Sequence, residues 1–172
     1  MLKRLCVAIV SAIATITPVS AEVQDGTHQL LQTLDDNGVL VTYNHPECAS
    51  NGAFGQYRWV GMAREIRLCP GDTVDALDHN VVRHEVIHAI QHCVNVARGT
   101  NYDTPVITNE AEFTNFITEN LTRREIDSIT DEYPRDQWPT ELEAFAGANA
   151  YTATELEEMF LDVCVAPETG IS

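Results

Sequence analysis

The stretch Arg83-His84-Glu85-Val86-Ile87-His88 carries the spacing HExxH. On a helix, residues four apart sit one turn apart on the same face, so His84 and His88 can offer two imidazoles to one ion. Zinc accepts neutral imidazole nitrogen at about 2.0–2.1 Å. Glu85 projects toward the same side without being needed as a ligand. There it can take a proton from a water that bound zinc has made acidic. This is the chemistry of metal-assisted amide hydrolysis. The plain alternative is a pair of surface histidines on an amphipathic helix.

The surrounding residues favour a helix with a chemical face. At 100° per residue, Val81, Glu85, His88, Gln91, His92 and Asn95 fall within about 100° of His84. The other side carries Val82, Val86, Ala89, Ile90, Cys93, Val96 and Ala97, with Val94 at its margin. An apolar face in the core would leave the His/Glu face looking into a polar space.

A catalytic zinc with two histidines needs a third protein ligand and an open fourth position. His92 is one further turn along, but three ligands on one straight helix diverge too far to close on a single ion. The better source is Glu141-Leu142-Glu143-Ala144-Phe145-Ala146, where small alanines would let a later helix approach closely. Glu143 is the expected ligand and Glu141 the reserve. Thr140-x-x-Glu143 is also a capping-box pattern, which would assign Glu143 to backbone N–H groups instead.

The elements that must position these residues can be read in turn. Leucines at 30, 31 and 34 suggest a helix from about 22 to 36, stopped by Asn37-Gly38. Strands are expected at 39–43, 56–60 and 64–68, the last two joined around Gly61. The HExxH helix should begin between Asp78 and Asn80 and end at Arg98-Gly99. A second long helix is expected over 109–126, capped by Asn109 with Glu112, followed by a connection over 128–138. A third should run from Pro139-Thr140 to about Ala150. A fourth should begin at Thr154 with Glu157 as its capping partner.

The first 21 residues read as a secretory leader: Lys3 and Arg4, the apolar run Leu5 to Ile16, and Val19-Ser20-Ala21 as a small-residue cleavage site. The apolar run is too short to span a bilayer. The expected organisation is therefore a leader over 1–21 and one domain over 22–172, exported to the periplasm or medium. Its loss leaves 8 basic residues, all arginine, against 26 acidic, a formal charge of −18. Such a surface repels nucleic acid and anionic lipid, so neither is an expected partner. Four cysteines remain, and an even number in an exported chain reads as two disulfides. Three pairings are possible; the expected one joins Cys48 to Cys69 and Cys93 to Cys164. No CxxC spacing supports a cysteine metal site.

The HEVIH helix, the strand pair ending in Arg67-Leu68-Cys69 and the downstream ELEAFA stretch resemble the zincin metallopeptidases over about residues 55–150. In the gluzincin arrangement of that group, a glutamate from a later helix is the third ligand. The resemblance implies a small α+β fold with a short antiparallel or mixed sheet packed on the active-site helix. It implies one zinc per chain on His84, His88 and Glu143, with Glu85 as general base. It also implies a peptide or protein substrate, lying along the strand Glu65–Leu68 by edge pairing. Position 91 is Gln and position 94 is Val, so the extended metzincin run HExxHxxGxxH is missing, as is the thermolysin ExxxD. Two other readings remain open: a zinc hydrolase of a non-protein amide, and a non-catalytic acidic binding module with a relict or structural metal site. A donor for the developing oxyanion is also required, with Tyr102, Tyr133, Arg135, Tyr151 and His92 as candidates.

Overall fold

The computed structural model describes residues 19–48, 54–61, 63–69, 78–100 and 104–165, with side chains from Gly26 onward. The charged start and apolar run of the expected leader lie outside the described residues. The architecture is α+β, as expected: a three-stranded mixed sheet and six helices.

Helix α1 (Val19–Asp36) ends where Gly38 adopts φ +80°, a left-handed turn that glycine takes without steric cost. It leads into β1 (Val39–Tyr43). Strands β2 (Gly55–Val60) and β3 (Ala63–Leu68) form an antiparallel hairpin turning at Gly61, φ +65°. β1 adds to β3 in parallel, which gives the order β1-β3-β2. The strand expected beside the cleft, Glu65–Leu68, is therefore the central strand, and both its edges are already paired. β1 and β2 are the edge strands, and β2 is the one that lines the cleft described below. Ile66 and Leu68 point into the core, while Glu65 and Arg67 lie on the other face and pair with each other, Arg67 also with Glu47.

Helix α2 (His79–Arg98) is the HExxH helix. Asp78 caps its start by accepting from the Asn80 N–H, and Gly99 closes it in the left-handed region. The segment expected as one helix over 109–126 is two: α3 (Glu110–Asn120) and α4 (Arg123–Glu132). The chain breaks at Leu121 and restarts at Thr122, where Thr122 and Glu125 form a reciprocal capping box. Residues 128–132, expected as connection, are therefore helical. Helix α5 (Trp138–Ala150) follows. Helix α6 (Ala153–Phe160) is capped by Thr152 with Glu155, two residues before the expected pair Thr154 and Glu157. It runs into a π-turn over Leu161–Val165.

Both expected disulfides are present. Cys48–Cys69 ties the end of β3 to the loop after β1, and Cys93–Cys164 ties α2 to the segment after α6. Two crosslinks of this kind are compatible with an extracellular protein. No helix among the described residues is long and apolar enough to cross a membrane.

Helix α5 joins two apolar clusters. Ala144 and Ala148 belong to the main core with the sheet, α1, α2 and α6, whereas Ala146 belongs to a second one with Ile117, Leu121 and Ile129 of α3 and α4. The helix runs antiparallel to α2. Arg83 donates to the Ala148 carbonyl at one end of the contact, and Gln91 donates to the Thr140 carbonyl at the other. Between them, a Cβ placed on Gly147 would come within 2.5 Å of Ile87 Cδ1, so the small residue sets how closely the helices approach. Replacing Gly147 by Val should push α5 off α2 and lower stability by about 1–3 kcal/mol, read by urea unfolding.

Candidate metal centre

Helix α2 brings His84 and His88 together as the spacing requires: their Nε2 atoms are 3.0 Å apart. The third group facing them is Glu141, whose Oε2 lies 3.3 Å from His84 Nε2 and 3.5 Å from His88 Nε2. These three residues could hold a metal ion. A tetrahedral ion at about 2.0–2.1 Å from each donor would hold its ligand atoms roughly 3.3–3.4 Å apart. The observed separations bracket that value.

Glu141 Oε2 is buried and close to both imidazoles, yet it makes no hydrogen bond of acceptable geometry. Lone pairs that converge on a common centre are near one another without pointing at one another. His84 Nδ1 is likewise buried without a partner. His84 is instead held by packing: its ring lies 4.2 Å from that of Phe145.

Glu143, expected as the third ligand, is elsewhere. It is buried, and its carboxylate accepts from the backbone N–H groups of Val106 (2.7 Å) and Ile107 (2.8 Å) and from Gln91 Nε2 (2.8 Å). The reason is helical geometry: residues two apart point about 200° apart, so the contact line with α2 passes between Glu141 and Glu143. Glu141 falls on the histidine side. The alternative role for Glu143, satisfying backbone donors, is right in kind, but the donors belong to the loop before α3 and not to its own helix.

Gln91 is the residue that sequence reasoning undervalued. It is 1 % exposed, and its Oε1 lies 2.8 Å from His88 Nδ1 while its Nε2 donates to Thr140 O and Glu143. With both amide hydrogens engaged, Oε1 must accept, so His88 carries a proton on Nδ1 and leaves Nε2, on the side of Glu141, as the nitrogen a metal would take. Orienting a ligand histidine through its other nitrogen is the usual task of a supporting group around a metal. The pattern HxxQ within the helix was the available signal. The polar face of α2 is also less open than expected: His84, Glu85, Gln91, His92 and Asn95 are all buried, roofed by α5 and β2.

Glu85 lies under β2. A Cβ on Gly55 would stand 2.7 Å from Glu85 Oε1, and the Tyr57 backbone N–H donates to the Glu85 carboxylate. Burial pushes its pKa up to about 7, against the attraction of His88. Burial also lowers His84. Burial opposes charge on His88 too, but the adjacent Glu141 carboxylate outweighs it and lifts His88 to about 9. Glu141 is correspondingly held down to about 2, despite its burial, by the two histidines. The opposite shifts of His84 and His88 describe one positive charge shared by three groups, a place that a metal ion and a proton would contest.

The cluster forms the floor of a cleft of about 500 Å³. β2 supplies one wall through Gln56, Tyr57 and Trp59, and Tyr133, Gln137 and Thr140 supply the other. Of the oxyanion candidates, Tyr133 and His92 line this cleft. Tyr133 is kept protonated by burial and then by the charges of Glu141, Glu132 and Glu85, so its hydroxyl can donate. Tyr151 lies behind α5, stacked on Phe116, and Arg135 sits over the Trp138 ring. Tyr102 is outside the described residues. The chain matches no protein-family model, and no curated protein or solved structure matches it.

Zinc stoichiometry separates the two glutamates. The parent should take up about one zinc per chain, and Glu141→Ala should lose it. Glu143→Ala should keep the metal with about 10–100-fold weaker affinity. It should also lose roughly 1–3 kcal/mol for each buried donor left unpaired, measured by titration against a chelator and by denaturation.

Proposed function

We propose that the protein is an exported zinc metallopeptidase with His84, His88 and Glu141 as ligands and Glu85 as general base. The observation that carries this reading is the convergence of three ligand atoms on one point at the floor of an open cleft, with a buried carboxylate beside it. No fourth histidine, cysteine or carboxylate joins the group among the described residues. Such a set leaves room for a reacting water, unlike the closed four-ligand site of a structural zinc.

A zinc ion bound there supplies a more acidic water and a polarised substrate carbonyl. Glu85, on the helix between the two histidines, takes the proton from the attacking water and returns it to the departing amine nitrogen. A carboxyl poised near neutral pH is suited to both halves of that exchange. The edge of β2 that pairs with no strand among the described residues can receive an extended peptide as an added strand, replacing the role first given to β3. Tyr133 stands at the opposite wall as a donor to the oxygen of the scissile carbonyl. The likeness to zincins in HExxH and a later glutamate supports the same reading, with the ligand moved from Glu143 to Glu141.

Glu85→Gln should keep zinc and lower kcat/KM on a peptide library by about 10²–10⁴-fold. Hydrolysis at the parent rate in that variant would refute the mechanism. Gly55→Ala should also keep zinc while displacing Glu85 and slowing turnover about 10–100-fold.

A further inference from the structure

The charge inventory of this chain can be closed. Of ten basic residues, Lys3 and Arg4 fall in the expected leader, and the other eight are arginines within the described residues. Arg58 and Arg67 are tied to Glu47 on the sheet, Arg67 also to Glu65. Arg64 donates to the Asn37 carbonyl and to Cys93 Sγ. Arg83 and Arg98 donate to the carbonyls of Ala148 and Val106. Arg123 pairs with Asp127 on the exposed side of α4, next to exposed Arg124, and Arg135 covers the Trp138 ring. None of the eight lines the cleft.

The consequence concerns what can enter. Glu85 and Glu141 lie at the floor, where they offset much of the charge of a divalent ion. The field over the cleft is then that of the rest of a chain carrying 26 acidic residues. An anionic group arriving there finds no arginine or lysine in the lining and a repulsive potential around it. A cationic group is drawn in. At the rim, Trp59 keeps 38 % of its surface exposed, while its ring is steadied 4.8 Å from that of His92. A part-exposed indole at the rim of an acidic cleft is a favourable contact for a guanidinium or ammonium group.

We propose that the cleft binds a cationic polypeptide, with a basic side chain beside the reacting bond lying on Trp59. This rests on the peptidase reading above for its substrate chemistry, but its test need not involve turnover.

The probes are three short end-capped peptides of one sequence carrying Arg, Gln or Glu on both sides of a central bond. Their binding to the zinc-loaded Glu85→Gln protein is followed by fluorescence anisotropy at low and high salt, while the parent protein is assayed for cleavage. Arg should bind at least about 10-fold tighter than Glu at low salt, and the gap should narrow as salt shortens the range of the field. Trp59→Ala and the milder Trp59→Leu should weaken Arg binding about 2–5-fold at either salt, without changing zinc content. Equal binding of the three peptides, or a preference for Glu, overturns the proposal. Binding in the order Arg over Glu without cleavage by the parent would instead overturn the peptidase reading and leave this one standing.

Discussion

The structure turns on one buried amide. Gln91 takes the Nδ1 proton of His88 on its oxygen and gives its own two hydrogens to Thr140 and Glu143 of the neighbouring helix. A single side chain thus fixes the tautomer of a ligand and the register of α5 on α2. That register decides which glutamate meets the histidines. Glu143, drawn to Gln91 and to two backbone donors, anchors the far side of the contact, and Glu141 is left facing His84 and His88. A buried amide with all its hydrogen-bonding groups engaged resists displacement, because each broken bond leaves a desolvated group behind.

Around this contact the rest of the fold supplies walls and tethers. The Cys93–Cys164 bridge and the main core hold α2 from behind, and the hairpin of β2 and β3 lies over its front. The break between α3 and α4 ends α4 at Tyr133, which lines the cleft and whose carbonyl accepts from Trp138 Nε1. The resulting site is electrostatically asymmetric: no arginine or lysine lines it, and the positive charge on its floor is the one shared among His84, His88 and Glu141.

Much of this was legible in the sequence, for identifiable reasons. The HExxH helix, the three strands and the α+β class follow from periodicity and from glycine at turns, and both disulfides were anticipated. The break at Leu121-Thr122 was missed because Phe113, Phe116, Ile117 and Leu121 continue a helical pattern that hides the Thr122–Glu125 box. The choice of Glu143 over Glu141 failed for a deeper reason. Ala144, Ala146, Gly147 and Ala148 make both sides of α5 small enough to approach α2, so composition cannot say which side does. The deciding partners, the N–H groups of Val106 and Ile107, are distant in sequence and are backbone atoms, which leave no mark in residue type. The central position of β3 was hidden likewise, since β1 joins it in parallel across a long connection.

The central claim is that His84, His88 and Glu141 bind one metal ion and leave a position open. X-ray absorption at the zinc edge of the stoichiometrically loaded protein tests this directly. The account predicts two imidazoles and low-numbered oxygen ligation at about 2.0–2.1 Å, with no sulfur, and loss of that signature in Glu141→Ala. Zinc bound through sulfur, or a spectrum unchanged by Glu141→Ala, would contradict it.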